Sequence, residues 1–127
     1  MRSDDLADNV AATRNFIRDL SAEPLEPDDF QRFFTFNMLT PAYVRRGMTA
    51  FRPDNSQFGE QLKVPVLVSH GDADRLVSIK DAQRTHRLIP GSRLSVYEGV
   101  GHMPFYERPA RFSRELAAFV RDAQVEE

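Results

Sequence analysis

The chain of 127 residues contains no cysteine. That excludes disulfides, thiolate metal sites and a cysteine nucleophile, and it fits a reducing compartment. Neither sign of charge is in large excess: 17 Lys and Arg against 19 Asp and Glu leave a net charge of −2. Such a balance gives no electrostatic basis for binding nucleic acid or an anionic membrane. Long apolar runs are missing too. No stretch approaches the roughly 18–20 residues that span a bilayer, and Met1-Arg2-Ser3-Asp4-Asp5 is followed by no apolar signal core. The expected setting is soluble and cytoplasmic. Glycine is scarce at six residues, and none of them can be placed in G-x-S-x-G, the sharp strand-to-helix turn that exposes a nucleophilic serine. The three histidines form no helical H-x-x-x-H pair, so neither a metal nor another cofactor is expected.

What remains is a chain with 41% hydrophobic residues, enough for the core of one domain. Its character changes near Lys63. Residues 1–60 read as helical or looped. Ser3 and Asp4 can cap a first helix with Leu6, Val10, Thr13, Ile17 and Leu20 at helical spacing. Pro24 and Pro27 break it, and Asp28 and Asp29 open a second helix carrying Phe30, Phe33, Phe34, Phe36, Met38 and Leu39. Thr40-Pro41, an N-cap and first-turn proline, starts a third that runs to about Ala50. Pro53 to Gly59 reads as a polar connector, and Arg45 and Arg46 as solvated cations.

Residues 61–127 alternate strands with helices. Val64-Pro65-Val66-Leu67-Val68-Ser69 is the apolar run of a strand buried on both faces. Ser78 caps a helix, with Asp81 three positions on as an acidic capping box. Ala82, His86 and Ile89 form the inner face of that helix, and Pro90-Gly91 ends it. Arg93 to Tyr97 is a second strand. Pro109 begins a last helix with a stripe of Phe112, Leu116, Phe119, Val120 and Ala123. Strand–helix–strand–helix implies a right-handed crossover between two parallel neighbours. Two parallel strands do not make a self-sufficient sheet, and the outer strand edge would expose unpaired N–H and C=O groups.

Ligands of open α/β sheets sit beyond the carboxyl ends of the strands. Asp74 follows the first strand and His102 the second, so a carboxylate–imidazole bond between the two loops is geometrically reasonable. Asp72 is the competing acid. Gly71, Gly99 and Gly101 permit tight positive-φ turns there. His70 and His86 read as locally satisfied residues rather than ligands. Glu107 reads as structural, near the positive end of the last helix.

The run from Val64 through His70-Gly71-Asp72-Ala73-Asp74-Arg75-Leu76-Val77 resembles the acid-bearing segment of α/β-hydrolases, an apolar strand followed by G-x-x-D-x-x-V. Gly99-Val100-Gly101-His102, then Glu107-Arg108-Pro109, resembles that family's G-x-G-H followed by E-x-P. The match is detailed over about residues 62–124. It implies an α/β fold class, specifically a partial α/β-hydrolase fold: the last two parallel strands with flanking helices, preceded by an all-helical cap or lid over residues 1–60. It also implies Asp74 and His102 as catalytic acid and base. By position alone, Phe33, Phe34, Phe36, Met38, Tyr43 and Met103 become candidates for an apolar substrate pocket.

The family's order is nucleophile, acid, histidine. No serine here (Ser69, Ser78, Ser92, Ser95) has the setting of a nucleophile. The chain is therefore expected to be the C-terminal part of a hydrolase that, when complete, cleaves ester, epoxide, halide or carbon–carbon bonds in a small apolar or ester-like substrate. Alone it is expected to lack triad catalysis. The alternative is a non-enzymatic remnant that associates with a separate N-terminal half, or with itself, through its open strand edge. A receiver-like signalling domain would need an acidic pair after the first strand and a later lysine, and has no place for G-x-G-H.

Overall fold

Two five-residue strands, β1 (Leu67–Gly71) and β2 (Arg93–Tyr97), pair in parallel with Leu67 opposite Arg93 and Gly71 opposite Tyr97. The computed structural model that shows this describes residues 5–50, 54 and 56–125. Three helices precede the strands: α1 (Leu6–Arg18), α2 (Pro27–Leu39) and α3 (Ala42–Ala50). A 3₁₀ turn over Ser56–Gln61 leads to β1, so part of the presumed connector is ordered helical backbone. Helix α4 (Ile79–Leu88) joins the strands, and α5 (Pro104–Glu107) and α6 (Pro109–Val125) follow β2.

The strand at β1 begins three residues later than the apolar run predicts. Val64 is exposed and Pro65 has no N–H for a ladder, although the Val66 carbonyl still accepts from Arg93 N at 2.9 Å. Nor is β1 buried on both faces: Leu67 to His70 are half-buried, because among the described residues only β2 pairs with it. Its N–H and C=O groups on the far side form an open edge.

Helix α1 starts at Asp5, whose carboxylate accepts from Asp8 N at 3.0 Å. Ser3 and Asp4, the caps expected from sequence, lie outside the described residues, as do Phe51 and Pro53. Asn9, Thr13 and Ile17 face inward on α1, while Leu6 is exposed, so the inward face is rotated from the apolar stripe. Proline is at N1 of α2. In α3 the first carbonyl to accept is that of Pro41, from Val44 N and Arg45 N, and Thr40 closes α2 instead. Arg45 is buried rather than solvated, and it donates to the Asn37 carbonyl near the C-terminus of α2 at 2.9 Å. A cation placed there meets the negative end of the helix dipole.

The core lies between α1, α2 and the loops that follow the strands. Ile17, Leu20 and Met103 form its buried centre, with Phe16, Leu25, Phe30, Phe33, Phe34, Leu76 and Tyr106 packed around it. Phe30 stacks on Phe34, and Phe33 meets Tyr106 edge-on at 5.8 Å. Tyr106 also donates to Asp29, linking α5 to α2. On the other side, α6 docks on β2 through a polar cluster. The Glu115 carboxylate accepts from Ser95 at 2.6 Å, from buried Tyr97 at 2.7 Å and from Arg111 at 2.7 Å. Arg111 also lies over the Tyr97 ring at 4.0 Å. Leu116 and Val120 on α6 are left exposed.

Candidate active site

Both strands end at Gly71 and Tyr97, side by side, and their following loops are laced together. Asp72 N donates to the Tyr97 carbonyl and Ala73 N to the Val100 carbonyl, each at 3.0 Å. The Asp72 carboxylate accepts from Gly99 N at 2.7 Å. Asp72 therefore ties the loops, and it is Asp74 that meets the histidine.

His102 Nδ1 lies 2.8 Å from Asp74 Oδ2. A carboxylate only accepts, so Nδ1 carries the proton and Nε2 is the basic nitrogen. The other Asp74 oxygen accepts from Leu76 N at 2.8 Å and Val77 N at 3.0 Å, an Asx-type turn that fixes the side chain. Burial of Asp74 opposes its charge. The His102 hydrogen bond and the Val77 and Leu76 N–H groups outweigh this and hold its carboxyl below the usual range. Its side chain is 3% exposed, against 38% for His102. The pair thus has a dry anionic end and a wet basic end. Chemically it can take up a proton at Nε2 while the carboxylate stabilises the resulting imidazolium.

His70 lies behind the same acid. Its Nδ1 is 2.7 Å from the Gly71 carbonyl and its Nε2 3.5 Å from Asp74 Oδ2.

The glycines around the pair serve two different needs. Only Gly99, with φ at 67°, takes the positive-φ turn expected at all three positions. Gly71 and Gly101 are required by close packing. A Cβ on Gly71 would meet the Val100 oxygen at 2.1 Å, and one on Gly101 would meet the Ala22 nitrogen at 2.6 Å.

Glu107 is the residue whose importance was hardest to read from sequence. One oxygen accepts from Gly101 N and the other from Ala22 N, each at 2.9 Å. The E-x-P motif singles out the residue, but its second partner is 85 positions away.

The aromatic candidates separate. Phe33, Phe34 and Met103 share the core beneath the His102 loop. Phe36 and Tyr43 are largely exposed, and Met38 sits by Arg45, sulfur to nitrogen 3.9 Å. The serines are occupied elsewhere: Ser78 caps α4, Ser92 donates to the His86 carbonyl, and Ser95 donates to Glu115. Ser69 is inside β1. Among the described residues no group of three His, Cys, Asp or Glu side chains could hold a metal ion, and no helix is long and apolar enough to cross a membrane.

The sequence pattern of the α/β hydrolase fold family matches residues 8–109, and the chain belongs to that family. It is 33% identical over 84 residues to epoxide hydrolase EphH of Mycobacterium tuberculosis, a match covering 65% of this chain and 39% of that protein. It is 30% identical over 82 residues to a pimeloyl-[acyl-carrier protein] methyl ester esterase of Neisseria meningitidis, covering 64% and 26%. Among solved structures, a Burkholderia cenocepacia protein provisionally assigned as an aryl esterase matches with a TM-score of 0.91 and 28% identity, over 98% of this chain and 46% of that one. Esterase RhEst1 of a Rhodococcus species matches with a TM-score of 0.84 and 28% identity, over 96% and 45%. The chain spans less than half the length of each of these proteins.

Proposed function

We propose that Asp74 and His102 are the acid and the base of a hydrolase that cleaves ester-like bonds. The observation that carries this is the 2.8 Å bond from Nδ1 to a buried carboxylate, which leaves Nε2 as the basic nitrogen of a partly exposed ring. His102 would take the proton of a nucleophile, or of a water attacking an ester intermediate, and Asp74 would hold its tautomer and stabilise its charge. The esterases and the epoxide hydrolase to which the chain is similar favour ester or epoxide substrates.

The nucleophile is assigned to sequence outside these 127 residues, since no G-x-S-x-G can be written from the six glycines. In this reading residues 1–60 are the lid and residues 61–127 the end of the catalytic core. Phe33, Phe34 and Met103 form an apolar floor, and the exposed Phe36 and Tyr43, with half-buried Met38 beside Arg45, a lid surface for an apolar substrate. The 127-residue chain alone then lacks triad catalysis, because the nucleophile and oxyanion donors supply most of the acceleration.

The test is hydrolysis of p-nitrophenyl acetate by the chain alone, and by the chain extended with the coding region upstream, each with and without His102→Ala. No turnover by the chain alone, and turnover by the extended protein that His102→Ala removes, is the expected pattern. Turnover by the chain alone that is lost in His102→Ala would overturn the placement of the nucleophile. Activity of the extended protein that survives His102→Ala would overturn the relay.

A second reading rests on the open edge of β1, which pairs with β2 on one side only. In it the chain is a binding partner of a separately encoded N-terminal half, joined by strand addition. Mixing the two pieces and finding two independent peaks in size-exclusion chromatography would sink it.

A further inference from the structure

A cavity of about 560 Å³ opens where α1, the segment after it and the Asp74 loop converge. Its charged lining is of one sign: Arg14, Arg18 and Arg75, with no carboxylate among the lining residues. The rest of the wall is Ala22, Pro24, Leu25 and Phe30.

This arrangement runs against what a helix surface ordinarily prefers. Arg14 and Arg18 are four residues apart on α1, so they project along one face, and like charges at that spacing disfavour the helix. Two arginines elsewhere in the protein find carboxylates: Arg93 bonds Asp122 at 2.6 Å and Arg111 bonds Glu115 at 2.7 Å. Among the described residues, the bonds and ring contacts of the three cavity arginines are to neutral groups. Arg14 lies over the Phe34 ring at 4.8 Å, Arg18 donates to Asn15 Oδ1 at 3.1 Å, and Arg75 donates to the Ala22 carbonyl at 3.2 Å. Each contact restrains a guanidinium without neutralising it, and each leaves most of its five N–H donors free. The chain as a whole is slightly anionic, so the patch is not part of a general basic surface.

The geometry points to a binding site for an amphiphilic oxyanion, an apolar chain ending in a carboxylate or a phosphate. Planar guanidinium groups match both head groups through paired N–H bonds. Leu25, Pro24 and Phe30 would cover the apolar portion, in the mixed lining usual for small-molecule sites. Neither Asp74 nor His102 lines the cavity, and binding there needs no catalysis. An anion held there would join α1 to the loop carrying Asp74, which Arg75 already ties to the segment after α1 through the Ala22 carbonyl.

The test is calorimetric titration of the protein at low salt with octanoate, octyl phosphate, inorganic phosphate and octanol, all below micellar concentration. Either octyl anion should bind, with affinity falling at least tenfold in Arg14→Gln/Arg18→Gln and falling again as salt rises. Octanoate alone binding identifies a carboxylate head, and octyl phosphate alone a phosphate head; both support the site. Equal binding of octanol would overturn it, as would equal binding of inorganic phosphate and octyl phosphate. So would no binding, or binding indifferent to the substitutions. Arg18→Gln alone serves as the second variant, because Arg18 is exposed, bonds the neighbouring Asn15 and is not part of the core cluster.

Discussion

Glu107 holds Gly101 by its backbone, accepting the N–H at 2.9 Å one residue before His102. The same carboxylate takes the N–H of Ala22 with its other oxygen, so one side chain joins the histidine loop to the segment that follows α1.

Hydrogen bonds to a charged group contribute about 1.5–3 kcal/mol each. Glu107→Ala, which removes two, should lower the unfolding free energy by about 3 kcal/mol or more in urea titrations. Glu107→Gln retains one acceptor oxygen and should lose about half as much. Amide exchange at Gly101 and Ala22 should accelerate together in the alanine variant. A change under about 0.5 kcal/mol would show that the carboxylate is not holding the loop.

Two glycines should respond in opposite directions to alanine. Gly71→Ala places a Cβ 2.1 Å from a backbone oxygen that cannot yield without moving the Val100–Gly101 loop. Overpacking of that kind costs about 1–3 kcal/mol or more. Gly47 lies inside α3, and a methyl group there would meet nothing within 4 Å, so Gly47→Ala should stabilise by up to about 1 kcal/mol. Thermal melting of both variants is the check.

Acid should weaken the α6–β2 contact first through Glu115. Burial alone would raise its carboxyl, but hydrogen bonds from Ser95, Arg111 and Tyr97 hold it at about 2, below the ordinary 4.5. A carboxyl depressed in the folded state binds fewer protons there than in the unfolded chain, so its contribution is present above about 4.5 and lost as pH falls to about 2. Asp74 is shifted in the same direction and adds the same sign. Glu115→Gln should flatten the acid side of the stability–pH curve measured by urea unfolding between those limits. A slope equal to the parent's would refute the assignment.

Asp74→Asn should remove the acceptor that selects the Nδ1–H form of His102, since the one amide oxygen stays with the Leu76 and Val77 N–H groups and the NH2 donor then faces the ring. Ring nitrogen shifts from long-range proton–nitrogen spectra would report this as a move toward mixed tautomers. In a catalytically complete protein the corresponding loss in kcat should be near 10⁴-fold, the size seen when a triad acid is made an amide. An unchanged tautomer would mean that Asp74 does not orient the ring.

Sequence reading reached the elements whose signals are local. Arg93 to Tyr97 alternates and is a strand; Pro109 starts α6; Ser78 caps α4, through Lys80 N at 3.2 Å. The Asp74–His102 contact was also legible, because parallel strands with short following loops bring their ends together. What stayed hidden depends on partners distant in sequence. Asn9 faces inward and Leu6 outward because α2 packs on one side of α1, and no periodicity within α1 says which side. Arg45 reads as a surface cation in sequence, and only the end of α2 folding back to receive it makes it a buried one. Short α5 is four residues, below the length at which a helical period can be read. The close approach at Gly101 is to Ser21 and Ala22, and a glycine's need for space cannot be told from its need for positive φ by spacing alone.

Residues 20–22 connect three parts of this site by their backbone. The Leu20 carbonyl receives His102 N at 3.0 Å, Ala22 N is bound by Glu107, and the Ala22 carbonyl is bound by Arg75, next to the acid. The Asp74 loop and the His102 loop therefore share one mooring on the helical segment. If that segment swings, it must release or drag both loops at once, so the Asp74–His102 geometry and helix position form a single mechanical degree of freedom.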